Sequence, residues 1–241
     1  MKNSLFLSII LLFVCMSLDA QWTFLQVKGG KKIYCDNGKV WTIGVDDKIY
    51  SFDGNGSNFT EYPGDGRAKD IAVYNGVPYL IGMDDAVYEG SNGKFFEKLP
   101  GGSKGKKIYC DNKTGKVWVI GLDDKIYSFN GKHFIEYPGD GRAKEIAVYD
   151  GVPYLIGMDD AVYEGSNGKF FEKLPGGGKG KKIYCDNKTG KVWIVGLDDK
   201  IYSFNGKHFT EYPGDARIQE IAGYGGKPYF IGMKNGVYQG D

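Results

Sequence analysis

The chain has 241 residues, and its 31 Lys and Arg against 30 Asp and Glu leave a formal net charge of only +1. A net charge so close to zero argues against dedicated nucleic-acid binding, because such binding draws its affinity from an excess of basic residues. The 41% hydrophobic content excludes a disordered chain, and 38 Gly among many aromatic residues favour short strands with tight turns over a helical bundle.

Residues 1–20 predict a secretory signal peptide. Lys2 supplies a positive start, an apolar run follows over residues 5–14, and Ala20 is a small residue before a polar one. Cleavage after Ser17 is the alternative to cleavage after Ala20. The apolar run is short for a membrane span, and no second run of spanning length follows. The sequence therefore predicts a secreted, extracellular protein without a membrane span.

The mature chain, residues 21–241, is built from internal repeats. Three segments that begin at Lys31, Lys106 and Lys181 all read KKIYCDN, and each opens a 75-residue unit. Each unit divides into two related halves, so six copies of one module follow one another. A fixed repeat period of this kind indicates a solenoid or a propeller.

Each module contains four short strand-like runs in the same order. The first reads Ile-x-Cys or Ile-x-Val, and the second contains Val-Trp or Pro-Tyr and ends in Ile-Gly. The third contains Ile-Tyr or Val-Tyr, and the fourth reads Phe-x-x-Tyr-Pro-Gly or Phe-x-x-Leu-Pro-Gly. Turn-forming Asp, Asn and Gly residues separate the runs. Four antiparallel strands repeated six times predict an all-β fold, a single six-bladed β-propeller domain.

The two ends of the chain predict how the ring closes. The last module stops at Gln239, after its third run, and has no fourth run. The start of the mature chain, residues 21–25, aligns with the fourth run at residues 95–99. We therefore expect the N-terminal strand to complete the last blade and to satisfy the backbone groups of an otherwise open edge.

Three cysteines remain after removal of the signal peptide, and they stand 75 residues apart. An odd number in a secreted chain leaves a free thiol or an intermolecular disulfide open. The aligned residues in the other halves are Val73 and Val148, which favours a small buried apolar role for the cysteines. No CxxC motif or Cys/His cluster is present, so no zinc site is predicted. The cysteines are Cys35, Cys110 and Cys185.

The sequence offers few residues for catalysis. His133 and His208 are the only histidines and occupy one repeat position, so no unique nucleophilic or acid–base constellation is predicted. Five Asp-Asp pairs lie on turns and are interpreted as turn formers rather than as the paired carboxylates of a glycosidase. Calcium binding stays open as an alternative, although the pairs lack EF-hand spacing. We therefore predict no enzyme activity, no cofactor and no metal site.

An aromatic residue stands inside the second run of all six modules. This constancy favours packing between blades over the alternative role of a sugar-stacking platform. The six residues are Trp41, Tyr79, Trp118, Tyr154, Trp193 and Tyr229.

Several short motifs recur in register through the mature chain: an aromatic residue three positions before Leu-Pro-Gly or Tyr-Pro-Gly, then Ile-x-Val, Gly-x-Val-Trp and Ile-Tyr. They resemble the tectonin repeat of slime-mould tectonins, horseshoe-crab tachylectin-1 and fish-egg lectins. The opening Trp of that repeat stands only at Trp22, with Phe elsewhere, and Asp46 is one of the residues that replace its usual Asn. The resemblance implies a β-propeller lectin of the host-defence type, directed at surface glycans.

The best binding candidates lie on loops. In a propeller, the loop that joins two blades shares a face with the turn between the second and third strands. Arg and Asp together can bind sugar hydroxyls through charge-assisted hydrogen bonds, while pairing of Arg with Asp within the loop is an equally weighted alternative. The only three arginines of the chain fall at one loop position. The candidate carbohydrate-binding residues are Asp65, Arg67, Asp84, Asp140, Arg142, Asp159, Asp215 and Arg217.

These observations predict a secreted, multivalent lectin that binds glycans on cell surfaces or glycoproteins. Weak sites repeated on one rigid ring gain avidity on a surface that presents many ligands. A protein-interaction scaffold is the alternative, and a propeller hydrolase is less favoured. The sequence leaves the sugar and the oligomeric state open.

Four Asn-x-Ser/Thr motifs predict N-glycosylation if the protein is secreted from a eukaryotic cell. All four fall in predicted turns, where we expect them to be accessible. They stand at Asn55, Asn58, Asn112 and Asn187.

Overall fold

The structure is a computed structural model that describes residues 23–25, 29–53, 59–64, 66–91, 93, 95–139, 141–166, 170–214 and 217–240. Every regular element within these ranges is a β-strand, and the strands form six four-stranded antiparallel sheets. The first strands of neighbouring blades contact one another around the centre of the molecule. The predicted six-bladed β-propeller is therefore confirmed.

The first three blades are meanders of four consecutive strands. Blade 1 contains β2 (Gly30–Asp36), β3 (Lys39–Gly44), β4 (Ile49–Phe52) and β5 (Thr60–Glu61). Blade 2 contains β6 (Ala68–Tyr74), β7 (Val77–Gly82), β8 (Val87–Ser91) and β9 (Phe95–Lys98). Blade 3 contains β10 (Gly105–Cys110), β11 (Val117–Gly121), β12 (Ile126–Phe129) and β13 (Phe134–Glu136).

Blades 4 and 5 repeat this order, and blade 6 departs from it in its outermost strand. Blade 4 contains β14 (Ala143–Tyr149), β15 (Val152–Gly157), β16 (Val162–Ser166) and β17 (Phe170–Lys173). Blade 5 contains β18 (Gly180–Cys185), β19 (Val192–Gly196), β20 (Ile201–Phe204) and β21 (Phe209–Glu211). Blade 6 contains β22 (Ile218–Tyr224), β23 (Lys227–Gly232), β24 (Val237–Gln239) and, from the other end of the chain, β1 (Thr23–Leu25).

The N-terminal strand closes the ring, as the alignment of the chain ends predicted. β1 pairs antiparallel with β24, with Thr23 opposite Gln239, Phe24 opposite Tyr238 and Leu25 opposite Val237. The pairing gives blade 6 the same number of strands as the other blades. The edge of β24 is thereby covered, and the first and last described strands belong to one sheet.

The Asp-Asp pairs build the turns between the second and third strands. In blade 2, Asp85 adopts a left-handed backbone with φ of 68°. Asp84 accepts hydrogen bonds from the backbone N–H of Ala86 at 3.1 Å and from the Tyr88 hydroxyl at 3.2 Å. Asp tolerates both tasks because its short side chain can bond to nearby backbone groups. The pairs therefore act as turn formers, as expected from the sequence.

Three tyrosines fill the centre of the ring. The rings of Tyr34, Tyr109 and Tyr184 lie 5.3–5.5 Å apart in every pairing. Each hydroxyl donates a hydrogen bond to the backbone carbonyl of a cysteine two blades away, at 2.7–2.8 Å. The matching residues of the even-numbered blades are buried alanines. Three large and three small side chains therefore alternate around one axis. The alanines are Ala72, Ala147 and Ala222.

The three cysteines are buried and free, so they fulfil the small apolar role predicted for them. Burial raises the pKa of each thiol well above its usual value. A protonated, inaccessible thiol is a poor nucleophile and a poor metal ligand. The cysteines therefore belong to the core.

A ring of alternating charges lies beside the tyrosines. Because residues two apart on a strand face the same side, lysines two positions before each Tyr also face the centre. Glu145 contacts Lys107 at 2.6 Å and Lys182 at 2.7 Å, and Glu220 contacts Lys182 at 2.7 Å and Lys32 at 2.5 Å. The charges of opposite sign neutralise one another in this partly buried layer.

The tryptophans pack between blades. Trp41, Trp118 and Trp193 are at most 2% exposed. The Trp41 ring lies 5.8 Å from Tyr62, which lies 5.4 Å from Phe96 of the next blade. The predicted packing role is confirmed, and the alternative of an exposed sugar platform does not apply to these residues.

Candidate functional site

The blade-joining loops and the turns between second and third strands lie together on one face, which we call the loop face. Arg67 forms a β-bridge with Lys48, and Arg142 forms one with Lys125. The backbone N–H of Ala68 donates to the carbonyl of Asp47 at 3.0 Å. These contacts join each loop to a turn of the preceding blade. Residues from both kinds of segment can therefore contribute to one site.

A pocket of about 400 Å³ opens on the loop face at blade 2. The blade-joining loop contributes Arg67, the turn contributes Asp84, and β8 and β9 contribute Tyr88 and Phe96. The backbone at Gly66 lies so close to the Phe96 ring that an added Cβ would come within 2.2 Å of it. Glycine is therefore required where the loop crosses this ring. The lining residues are Gly66, Arg67, Leu80, Gly82, Met83, Asp84, Tyr88 and Phe96.

The polar groups of this pocket include a hydrogen-bond acceptor and a hydrogen-bond donor of opposite charge. The backbone N–H of Ala86 and the Tyr88 hydroxyl bond to Asp84 and lower the pKa of its carboxyl. Burial and the hydrogen bond to Asp84 raise the pKa of Tyr88. Near neutral pH the pocket therefore offers an ionised carboxylate as acceptor and the exposed guanidinium of Arg67 as donor. Met83, which is 51% exposed, adds an apolar wall.

The pocket recurs at blade 4 with the same residue types. Its volume is about 380 Å³, and Arg142, Met158, Asp159 and Tyr163 take the places of their blade 2 counterparts. The Tyr163 hydroxyl donates to Asp159 at 3.1 Å, and the Arg142 guanidinium donates to the carbonyl of Asp123 at 3.3 Å. Blades 2 and 4 therefore carry two equivalent pockets.

The third pocket, at blade 6, differs from the other two. It has a volume of about 440 Å³. Arg217, the third arginine of the predicted set, is not among its lining residues. The described residues that line it are Phe24, Gly29, Val45, Lys234, Asn235, Gly236 and Tyr238.

The pockets of blades 2 and 4 coincide with one sequence difference from the odd-numbered blades. In blade 1, Lys48 extends along the outer strands to Glu61 at 2.7 Å, and blades 3 and 5 contain the same pair. In blade 2 the matching position is Ala86, and Lys98, which faces Tyr88 at the position of Glu61, lies 3.7 Å from Asp84 instead. The sequence shows the alternation of Asp-Asp-Lys and Asp-Asp-Ala. Its structural consequence is seen only when the lysine is placed beside the glutamate of a neighbouring strand.

The structure brings together some of the predicted site residues. Arg67 and Asp84 share one pocket, and Arg142 and Asp159 share another. Sequence reasoning missed Tyr88, Phe96 and Met83 and their blade 4 counterparts. The remaining predicted residues, Asp65, Asp140 and Asp215, lie outside the described residues, as do Asn55 and Asn58.

Asn112 and Asn187 lie in turns but direct their side chains toward the protein. The Asn187 amide is buried and donates to the carbonyl of Cys35 and, at 3.0 Å, to the hydroxyl of Tyr184. The Asn112 amide donates to Asp36 at 3.1 Å. The expected accessibility is therefore wrong for Asn187. Glycosylation at these positions stays a prediction, and it would have to displace these bonds.

Among the described residues, no group of three or more His, Cys, Asp or Glu is placed to hold a metal ion. In the same part of the chain, no helix has the length and apolar character needed to cross a membrane.

Solved propeller structures share this fold at low sequence identity. YCF48 bound to a D1 peptide is 10% identical, with a TM-score of 0.59 over 91% of this chain and 96% of that chain. The WD40 propeller domain of Doa1 is 12% identical, with a TM-score of 0.60 over 92% and 97%. Virginiamycin B lyase from Staphylococcus aureus is 18% identical, with a TM-score of 0.57 over 91% and 87%.

Likeness at this level shows the fold alone, and function must be argued from the site. No protein-family model and no curated protein sequence matches the chain. The fold defines the class: this chain is a six-bladed β-propeller protein.

Proposed function

We propose that this protein is a multivalent lectin whose main saccharide sites are the pockets of blades 2 and 4. The observation that carries the proposal is the recurrence of one constellation: an exposed arginine, an ionised aspartate, a tyrosine and a half-exposed methionine around a phenylalanine. Saccharides present hydroxyls that both donate and accept, together with apolar C–H faces. The guanidinium, the carboxylate and the methionine match these three features.

The arrangement of the sites also suits a lectin. Two equivalent shallow pockets on one ring favour weak individual binding and strong binding to surfaces with many ligands. The resemblance of the repeats to tectonins and the predicted signal peptide support the same conclusion. Each of these two pockets is lined by a single carboxylate, whereas glycoside hydrolysis generally uses two. We therefore propose binding without catalysis.

The test is a glycan array combined with agglutination of cells that display the ligand found. Arg67→Lys together with Arg142→Lys should reduce binding about tenfold, since Lys lacks the planar fork of Arg. Arg217→Lys is the matched control, because Arg217 occupies the same loop position but lines no described pocket. Equal losses in the double variant and the control, or no loss in either, would show that these pockets are not the site.

A protein-interaction scaffold is a second candidate, favoured by a ring of apolar side chains on the loop face. The residue before each turn is 46–55% exposed in all six blades. Exposed apolar residues that recur at one turn position around a face would suit contact with a protein partner. Leu122→Ser with Leu197→Ser lies outside the pockets and should abolish capture of a protein partner while saccharide binding persists. Saccharide binding without any peptide or protein ligand would contradict the scaffold. The ring consists of Val45, Met83, Leu122, Met158, Leu197 and Met233.

A further inference from the structure

The pocket of blade 6 carries a cation at the turn position where blades 2 and 4 carry an aspartate. Lys234 stands at the turn position of Asp84, as the matching turns Gly-Met-Lys-Asn and Gly-Met-Asp-Asp show. Phe24 faces Tyr238 across the outer strand pair, as Lys98 faces Tyr88 in blade 2. The ion pair of Lys98 with Asp84 in blade 2 is thus replaced by an aromatic ring and a lysine.

Phe24 forms a fixed aromatic wall of this pocket. Its ring lies 5.3 Å from the ring of Tyr238, which stacks on buried Phe230 at 5.2 Å with an interplanar angle of 15°. This row of rings restrains Phe24, yet 51% of the residue is exposed. An exposed, restrained aromatic ring is suited to pack against the apolar face of a sugar ring.

Lys234 supplies the only charge among the described lining residues. It is exposed, and within the described part of the chain it forms no ion pair, in contrast to Asp84 and Asp159, which each lie near a lysine. The lining contains no carboxylate that would compete for the ammonium group. Its charge is therefore available to a ligand.

The backbone that carries Lys234 is held in place. Asn235 adopts a left-handed φ of 62°, its N–H donates to Gly232 at 2.9 Å, and its carbonyl accepts from Gly30 at 2.8 Å. Across the pocket, a Cβ added at Gly29 would lie 3.0 Å from Val45, so chain and neighbour are closely packed there. The cation is consequently presented by the turn between β23 and β24, and the aromatic wall by β1, which pairs with β24.

We propose that the blade 6 pocket binds an anionic saccharide, with Lys234 on a carboxylate, sulfate or phosphate group and Phe24 against the sugar ring. The inference rests on the proposed lectin function and gives the molecule two classes of site: two that take neutral saccharides and one that takes an acidic saccharide. A single chain could then require both kinds of sugar on one surface for full avidity.

The experiment is titration calorimetry with saccharide pairs that differ only in an acidic group. The pairs are glucuronate against glucose, and 6-sulfated and 6-phosphorylated against unmodified N-acetylglucosamine; the arms separate the three anions. Lys234→Gln should weaken binding of the acidic probe about tenfold, the scale of one lost charge-assisted hydrogen bond, and leave neutral probes unchanged. Lys207→Gln removes the same charge from an exposed turn at the opposite end of blade 5 and should leave both unchanged.

Thermal melting of both variants verifies that the fold persists. Equal binding of acidic probes by the wild type and Lys234→Gln, or an equal loss in Lys207→Gln, overturns the proposal. Binding of neutral probes at the Arg67 and Arg142 pockets with no preference for acidic probes overturns this inference and leaves the proposed function standing. Absence of binding to any saccharide overturns both.

Discussion

Residues at equivalent positions take different roles in odd and even blades, because the side chains packed around each position limit the space that it can fill. Tyr34 and Ala72 occupy the same strand position, yet one fills the axis and the other makes room for it. Lys48 and Ala86 differ in the same way on the loop face, where the lysine reaches Glu61 and the alanine leaves a pocket open. Side-chain size at single positions therefore turns six similar blades into three pairs.

The central tyrosines provide a test at the residue scale. The Tyr109 hydroxyl donates to the carbonyl of Cys185 at 2.7 Å and accepts from its N–H at 3.2 Å. Tyr109→Phe leaves both buried backbone groups unsatisfied, so the free energy of unfolding should fall by about 2 kcal/mol. Tyr127→Phe, which removes a hydroxyl bonded to exposed Asp123, should cost less than about 1 kcal/mol. Denaturant titration measures both, and equal losses would contradict the proposed role of the central hydrogen bonds.

At the scale of the strand, β1 is the element on which closure depends. It adds the outermost strand to a sheet whose other three strands come from the opposite end of the chain. A pairing between chain ends is a long-range contact, so its loss affects the ring as a whole. The same strand also brings Phe24 to the blade 6 pocket.

Removal of residues 21–27 should therefore destabilise the propeller. Without β1, the edge of β24 is exposed, and an unpaired edge promotes association with other strands. We expect a lower melting temperature and aggregation on heating, measured by circular dichroism and light scattering. A chain that begins at residue 21 is the control and should melt as a folded propeller. Identical melting of the two chains would refute the closure model.

Blades 2 and 4 lack the lysine–glutamate pair that crosses the outer strands of the odd blades, and we expect their pockets to depend on this difference. A blade swap tests it. Ala86→Lys with Lys98→Glu rebuilds in blade 2 the pair that Lys48 and Glu61 form in blade 1. The same changes at Ala161 and Lys173 treat blade 4. Saccharide binding should be lost at both sites while the melting temperature stays close to that of the wild type, because blade 1 already accommodates the pair.

The matched control for this swap carries Lys98→Glu and Lys173→Glu alone, so that the alanines stay in place and the pockets stay open. It should retain most of the binding. Retained binding in the full swap, with its fold intact, would place the sites elsewhere on the loop face.

At the scale of the whole molecule, ion pairs around the axis join blades 1, 3, 4, 5 and 6, and Asp70 of blade 2 accepts a hydrogen bond from the backbone N–H of Ile108 in blade 3 at 2.9 Å. Burial by itself would raise the pKa of Glu145, but the charges of Lys107, Lys182 and Lys32 outweigh it and lower that pKa. A carboxyl with a lowered folded-state pKa stabilises the protein above its unfolded pKa of about 4.3, and this contribution is lost as pH falls through the lower folded value. The pKa shift of Asp70 has the opposite sign, because burial raises the pKa of this carboxyl.

Glu145→Gln should lower the free energy of unfolding at pH 7 by about 3 kcal/mol, since it leaves two lysines without their shared partner. The difference from the wild type should shrink as pH falls from the unfolded-state pKa of about 4.3 towards the lowered folded-state pKa of Glu145. Glu136→Gln, which breaks an exposed pair with Lys125, should cost less than about 1 kcal/mol. Denaturant titrations between pH 3 and pH 7 test this, and a constant difference across that range would contradict it.

The periodic and local features of this protein could be determined from its sequence alone. Six modules in register imply six blades, and alternation within each run sets the strands because side chains on a strand alternate between faces. The Asp-Asp turns follow from short-range hydrogen bonding, and closure follows from the missing fourth run of the last module. Each of these conclusions depends on neighbours along the chain or on a repeated pattern.

Only the tertiary structure decided which repeated positions line pockets. Arg67 and Arg142 each line a pocket with an aspartate, whereas the blade 6 pocket is lined by Lys234 and, from β1, by Phe24. Asn187 stands in a turn that the sequence predicts to be exposed, but its side chain donates a hydrogen bond to the hydroxyl of Tyr184 at the centre of the ring. The physical reason is the same in each case: a pocket is defined by side chains from different strands and blades, whose distances are set by packing around the ring and are absent from the linear repeat.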